Sequence, residues 1–154
     1  MNSCDKAPMA TIRLPPDFKE FLRLLNSNAV EYLLIGGYAV GYYGYPRPTG
    51  DMDVWIATTA DNARRVVDAL REFGFDCPVE NLLRENEVIR MGVPPFRVQI
   101  LTTISGVDFS ACYARRLQVL LDDVQVSLIS LSDLKVNKRA SGRSKDVADL
   151  ENLP

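Results

Sequence analysis

The feature that most limits this chain is a short apolar run, Tyr32-Leu33-Leu34-Ile35, stopped by Gly36-Gly37 and followed, after a loop broken by Pro46, Pro48 and Gly50, by Asp51-Met52-Asp53. A run of that length with a glycine stop reads as a buried strand. Two glycines between a strand and a helix let the backbone turn sharply and approach a ligand closely, and the helix start offers N–H groups to a phosphate. Asp51 opens a second strand, Asp51 to Ala57, in which side chains two apart share a face. Asp51 and Asp53 therefore project together, with Met52 and Val54 turned to the core. Adjacent carboxylates repel unless a cation shares them, and a hard cation such as Mg²⁺ takes few carboxylates and bridges to substrate phosphates. Taken singly, the glycines need mean only a tight turn and the aspartates only a solvent-facing strand edge. Together they put phosphate donors and metal ligands in one supersecondary unit. Arg47 adds a fork that matches phosphate oxygens, and Thr49 adds a hydroxyl that can donate or order the turn.

The rest of the chain supplies alternating helices and strands. Residues 1 to about 14 read as a flexible leader, and residues 15–154 as a single domain. Phe18, Phe21, Leu22 and Leu25 recur at helical spacing after Pro15-Pro16. Tyr38 to Tyr43 reads as a short helix closed by Gly44. A further helix, capped by Thr59 or Asp61, runs to Phe73 and stops at Gly74. Residues 76–86 are ambiguous. Glu87 to Met91 and Phe96 to Leu101 read as strands, Asp108 to Arg115 as a short helix, and Leu117 to Leu121 with Val124 to Ile129 as a hairpin around Asp122-Asp123. From Leu131 onward two helical pieces are broken at Gly142. Later strands that are adjacent in sequence favour an α+β domain with a mixed sheet over a doubly wound parallel one.

Composition narrows the chemistry. The chain has three cysteines, widely spaced, and no histidine. Zinc sites and Ser-His or Cys-His nucleophile systems therefore lack their parts. Scattered cysteines and the absence of an apolar segment near the N-terminus imply a cytoplasmic protein with no membrane association. The net charge of −2 argues against a broad nucleic-acid surface. Yet Lys135, Lys138, Arg139, Arg143 and Lys145 form a local cationic cluster, which reads either as a solvated helix face or as part of an anion site. Asp146 and Asp149 read as local ion-pair or capping residues.

The segment IGGYAVGYYGYPRPTGDMDVWI resembles the GG…DxD signature of the polymerase-beta-like nucleotidyltransferase superfamily. The tail NKRASGRSKDVADL, residues 137–150, resembles the C-terminal segment of its small stand-alone bacterial and archaeal members. The resemblance covers most of the chain from Tyr32 onward. It implies a nucleotidyltransferase fold, a short mixed sheet flanked by helices. It further implies that Asp51 and Asp53 coordinate Mg²⁺ (or Mn²⁺), that Gly36 and Gly37 meet the triphosphate of an NTP, and that Lys138 and Lys145 sit near the nucleotide.

The chain departs from that pattern at one position. Active relatives carry a third carboxylate on a neighbouring strand, and here the matching segment, Arg97-Val98-Gln99-Ile100-Leu101, has Gln99 in its place. A glutamine amide is neutral and takes no proton at ordinary pH, so Gln99 stands in a catalytic position without the base. Glu87 or Asp108 could substitute. Two readings follow. The first is a Mg²⁺-dependent enzyme moving NMP from NTP to a hydroxyl on RNA, a protein or a small molecule. The second is a weakened or inactive nucleotide-binding member in a toxin–antitoxin or protein-partner role, by resemblance beside a HEPN-type partner. A plain interaction module, with Tyr38, Tyr42, Tyr43, Tyr45 and Trp55 in core or wall positions, is the third possibility.

Overall fold

The computed structural model describes residues 12–154. Its first helix, α1 (Pro16–Ser27), buries Phe18, Phe21, Leu22 and Leu25, the stripe expected from their spacing. Strand β1 (Tyr32–Ile35) is buried along its whole length and leads directly into α2 (Gly36–Tyr42). Strand β2 (Asp51–Ile56) follows the proline-broken loop. Helix α3 (Ala60–Phe73) starts at Thr59, whose side chain accepts from the Asn62 N–H, and ends at Gly74 in the left-handed region. Strands β3 (Val88–Met91) and β4 (Arg97–Leu101), helix α4 (Phe109–Ala114), strands β5 (Leu117–Leu121) and β6 (Val124–Leu128), and helices α5 (Leu131–Ser141) and α6 (Ser144–Asn152) complete the order.

The domain is α+β. Its mixed sheet has six strands in the order β3-β4-β2-β1-β6-β5, flanked by helices. The central pair β1 and β2 is antiparallel, with Ile35 opposite Asp53. β4 lies parallel to β2, and β6 parallel to β1. Hairpins close both edges: β3 with β4, and β5 with β6. In the second of these, Asp122 and Asp123 both take positive φ, the geometry a two-residue turn needs to match the twist of its strands.

The parallel β2–β4 pair is what builds the site. Its register sets Asp51 beside Arg97 and Asp53 beside Gln99. Met52, Val54, Val98 and Ile100 alternate with them and are buried. The period-2 reading of both strands therefore holds, and one sheet face carries all the polar side chains of the pair.

Three local details differ from or refine the expectations. α2 begins at Gly36 rather than Tyr38, because Gly36 itself turns the chain at φ +69. The ambiguous stretch 76–86 contains a 3₁₀ turn, Val79–Leu83, pinned by fully buried Leu82. The expected leader falls mostly outside the described residues. Within them, Leu14 is buried and its N–H donates to Asp122 Oδ2 at 3.0 Å. Among the described residues, no helix is long and apolar enough to cross a membrane.

Candidate functional site

The residues singled out in the sequence line one cleft of about 450 Å³: Gly36, Gly37, Arg47, Thr49, Asp51, Asp53, Gln99, Lys138 and Lys145. β1 and β2 supply the floor, the β1–α2 turn and the Pro46–Gly50 loop one wall, and α5 with the start of α6 the other. Val88, Arg90 and Leu101 extend the cleft over the β3–β4 hairpin.

The glycine pair is required by close packing against the site itself. A Cβ on Gly36 would lie 2.5 Å from Asp53 Oδ2, and one on Gly37 would lie 2.6 Å from Thr49 Oγ1. Gly36 also needs its positive φ, which L-residues adopt only with strain. Thr49 Oγ1 donates to the Asp51 carbonyl at 3.1 Å, tying the loop to the start of β2. The bare Gly36 backbone thus packs directly against the Asp53 carboxylate.

Each carboxylate is held differently. The Arg97 guanidinium grips Asp51 with both arms, Nε to Oδ1 at 2.9 Å and Nη2 to Oδ2 at 3.1 Å. Gln99 Nε2 lies between the acids, donating to Asp53 Oδ1 at 2.9 Å and to Asp51 Oδ2 at 3.3 Å. Arg90 Nε donates to Gln99 Oε1 at 2.8 Å. A guanidinium only donates and an ionised carboxylate only accepts, so these partners fix which end of the amide faces which. Burial pushes the Asp53 carboxyl above the usual aspartate range; the Gln99 hydrogen bond opposes this, and the charge of Asp51 adds to it.

On the opposite wall, Lys138 is buried between two carboxylates, 3.1 Å from both Asp146 Oδ1 and Asp149 Oδ2. Arg47 donates to both oxygens of Asp149, at 2.7 and 2.8 Å. Arg143 donates to Asp146 through its side chain at 2.8 Å and its backbone N–H at 3.1 Å. Asp146 thus forms the local ion pair and cap expected of it, whereas Asp149 pairs with Arg47, 102 positions away. Burial alone would raise both carboxyls. The hydrogen bonds from Arg143 and Lys138 to Asp146, and from Arg47 and Lys138 to Asp149, outweigh it, holding Asp146 well below the usual range and Asp149 below it.

A family model described as "Nucleotidyltransferase of unknown function (DUF6036)" matches residues 12–153. The chain belongs to this nucleotidyltransferase family. A search among curated proteins returns no match.

In the nucleotidyltransferase cleft, Asp51 and Asp53 are a hard oxygen pair on one strand face, and their mutual repulsion is of the kind a divalent cation relieves. Their oxygens on the cleft floor suit one such ion shared with phosphate oxygens. Among the described residues, no group of three or more Asp, Glu, His or Cys side chains comes together that could hold a metal. Neither Glu87 nor Asp108 lines the cleft: Asp108 caps α4 by accepting from the Ala111 N–H, and Glu87 lies 3.8 Å from Arg84.

The cations of the nucleotidyltransferase cleft divide into two kinds. Arg47, Lys138 and Arg143 are matched by acids. Lys145 and Arg90 take part in no ion pair among the described residues. Arg90 is the functional candidate that sequence reasoning missed. Its signal was present in the strand pattern. An antiparallel pairing of the two strands around Gly92-Val93-Pro94-Pro95 sets Arg90 directly opposite Gln99.

Proposed function

We propose that the chain is a Mg²⁺-dependent nucleotidyltransferase of the cytoplasm, moving NMP from an NTP to a hydroxyl acceptor on RNA, a protein or a small molecule. The observation that carries this is the convergence of the Asp51–Asp53 pair, the Gly36-Gly37 turn and the unmatched Lys145 on one cleft, in a chain of nucleotidyltransferase family. In the reaction, the acceptor oxygen bonds to the α-phosphorus, the bond from that phosphorus to the β-bridging oxygen breaks, pyrophosphate leaves, and the hydroxyl proton passes to solvent water. Asp51 and Asp53 would hold the cation, which would supply Lewis-acid polarisation of the phosphoryl oxygens. Gly36 and Gly37 leave room for the triphosphate against the backbone. Lys145, exposed and unmatched, meets phosphate oxygens directly. Arg47 and Lys138 serve the nucleotide by fixing the walls: Arg47 ties the Thr49 loop to α6, and Lys138 ties α5 to α6.

Gln99 favours a second reading, a member that binds nucleotide with weakened or no turnover. The amide nitrogen between the two aspartates can neither ligate a cation nor take the acceptor's proton. General-base help is worth ~10²–10⁴-fold in rate, so its loss slows chemistry without removing the binding site. Such a member suits a protein-partner role, including a toxin–antitoxin pair with a HEPN-type partner.

Labelled NTPs with Mg²⁺ or Mn²⁺ and cell extract separate the two. Labelled acceptor with wild-type protein supports the enzyme. Labelling only by the Gln99→Asp variant, with calorimetry showing that wild type binds ATP·Mg²⁺ and Asp53→Asn does not, supports the second reading. No nucleotide binding by wild type would sink both.

A further inference from the structure

Arg90 has no part in the function proposed above, yet it sits in the cleft at a position of control. It lies on edge strand β3, opposite Gln99 in the register, and holds Gln99 Oε1 at 2.8 Å. That bond, together with the two carboxylates, sets what Gln99 shows to the aspartates. With the oxygen held by Arg90, the NH₂ faces Asp53 Oδ1 and Asp51 Oδ2. An amide nitrogen donates hydrogen bonds and offers a cation nothing. Turned over about its terminal bond, the same amide presents a carbonyl oxygen beside the two carboxylates. Such sp³–sp² torsions are broad and roughly two-fold, so both orientations are sterically ordinary. The Arg90 bond and the aspartates' demand for donors together keep the first.

Arg90 is also exposed and without an acid partner among the described residues. Its fork matches a phosphate, and a charge-assisted bond to phosphate is stronger than one to a neutral amide. The geometry points to Arg90 as a positioning residue that couples nucleotide binding to cation binding, holding Gln99 in the cation-refusing orientation until a triphosphate draws it away. This rests on the nucleotide-and-cation reading of the cleft. Coupling of this kind is reciprocal: the nucleotide raises cation affinity by the factor by which the cation raises nucleotide affinity.

The test uses Mn²⁺ as the probe, its binding followed by the loss of the free-ion electron paramagnetic resonance signal, on the full chain without nucleotide. Arg90→Met is expected to bind Mn²⁺ on the order of tenfold tighter than wild type, within the usual range of coupling energies. Lys145→Met removes a charge from the same cleft without touching Gln99 and is the control. Its gain is expected to be clearly smaller, and an equal gain in both variants overturns the coupling. Gln99→Glu puts an oxygen toward the aspartates whatever Arg90 does. If it binds Mn²⁺ tightly while Arg90→Met matches wild type, the coupling is overturned and the cation site stands. If none of the four proteins binds Mn²⁺, even with a non-hydrolysable ATP analogue present, both are overturned. A second readout needs no variant. Metal-free inorganic tripolyphosphate is expected to shift the Gln99 side-chain NH₂ resonances of wild-type protein, and binding of tripolyphosphate with those resonances unmoved overturns the coupling.

Discussion

Two aspartate pairs meet opposite fates: Asp51 and Asp53 line the cleft, whereas Asp146 and Asp149 are buried behind its far wall. Asp146 and Asp149, three apart on helix α6, are almost wholly buried and held by Lys138, Arg47 and Arg143. Asp51 and Asp53, two apart on strand β2, are half-buried, with one guanidinium and one neutral amide for company. Helical and strand spacing each bring two like charges together. What separates them is how many cations the surroundings supply. The first pair is saturated, its carboxyls held low, and it acts as a clamp. The second is under-matched, with Asp53 pushed up by burial and by the neighbouring charge of Asp51.

The largest effect that sharpens the contrast is expected from Lys138→Met. It strips the shared cation from two buried acids and should lower stability by about 3–5 kcal/mol in chemical denaturation. A loss of nucleotide affinity with stability unchanged would break the comparison, because Lys138 would then belong to the open pair. Acid removes the same contribution gradually. The folded-state pKa values of Asp146 and Asp149 lie below the unfolded value, so their stabilisation is full above about pH 4 and is lost as pH falls through the folded values. Melting temperature should therefore drop on the acid side, and more steeply in wild type than in an Asp146→Asn variant.

Lys145→Ala is expected to do the reverse of Lys138→Met. One charge-assisted contact is worth about 1.5–3 kcal/mol, so ATP affinity by calorimetry should fall roughly 10- to 100-fold. Stability should stay within about 0.5 kcal/mol of wild type, as for most exposed substitutions. The smallest effect is expected from Asp53→Asn in nucleotide-free protein. A raised carboxyl pKa means the folded state binds the proton more readily than the unfolded, so stability falls as pH rises through that window and the charged form is a burden at neutral pH. The variant should gain about 0.5–1 kcal/mol, as substitutions that relieve a functional site do, while losing Mg²⁺-dependent nucleotide binding. A marked destabilisation would mean that Asp53 is clamped as Asp149 is.

Much of the local structure could be read from residue order alone. The α1 stripe, the alternation in β2 and β4, the turn at Asp122-Asp123 and the stop at Gly74 each follow from a few neighbouring residues. The sheet order could not be read, because placing β4 beside β2 rather than beyond β3 depends on pairings distant in the chain. The same limit explains the cleft. Gly36, Gly37, Asp51 and Asp53 were legible because one turn and one strand carry them. The bond from Arg47 to Asp149 spans 102 positions, and no local pattern announces it. Arg47 therefore read as a phosphate fork when its guanidinium is engaged elsewhere. Arg90 was within reach, since a hairpin pairing alone sets it opposite Gln99, but a lone arginine on a short strand carries no motif.

That long reach between Arg47 and Asp149 also sets a timetable. At roughly 5–20 residues per second of synthesis, the ribosome finishes the Pro46–Gly50 loop about 5–20 s before it makes the acid that anchors it. During that interval β1, β2 and the diglycine bend exist without their far wall. The far wall, carried by α5 and the start of α6, is therefore the last part of the cleft to be synthesised.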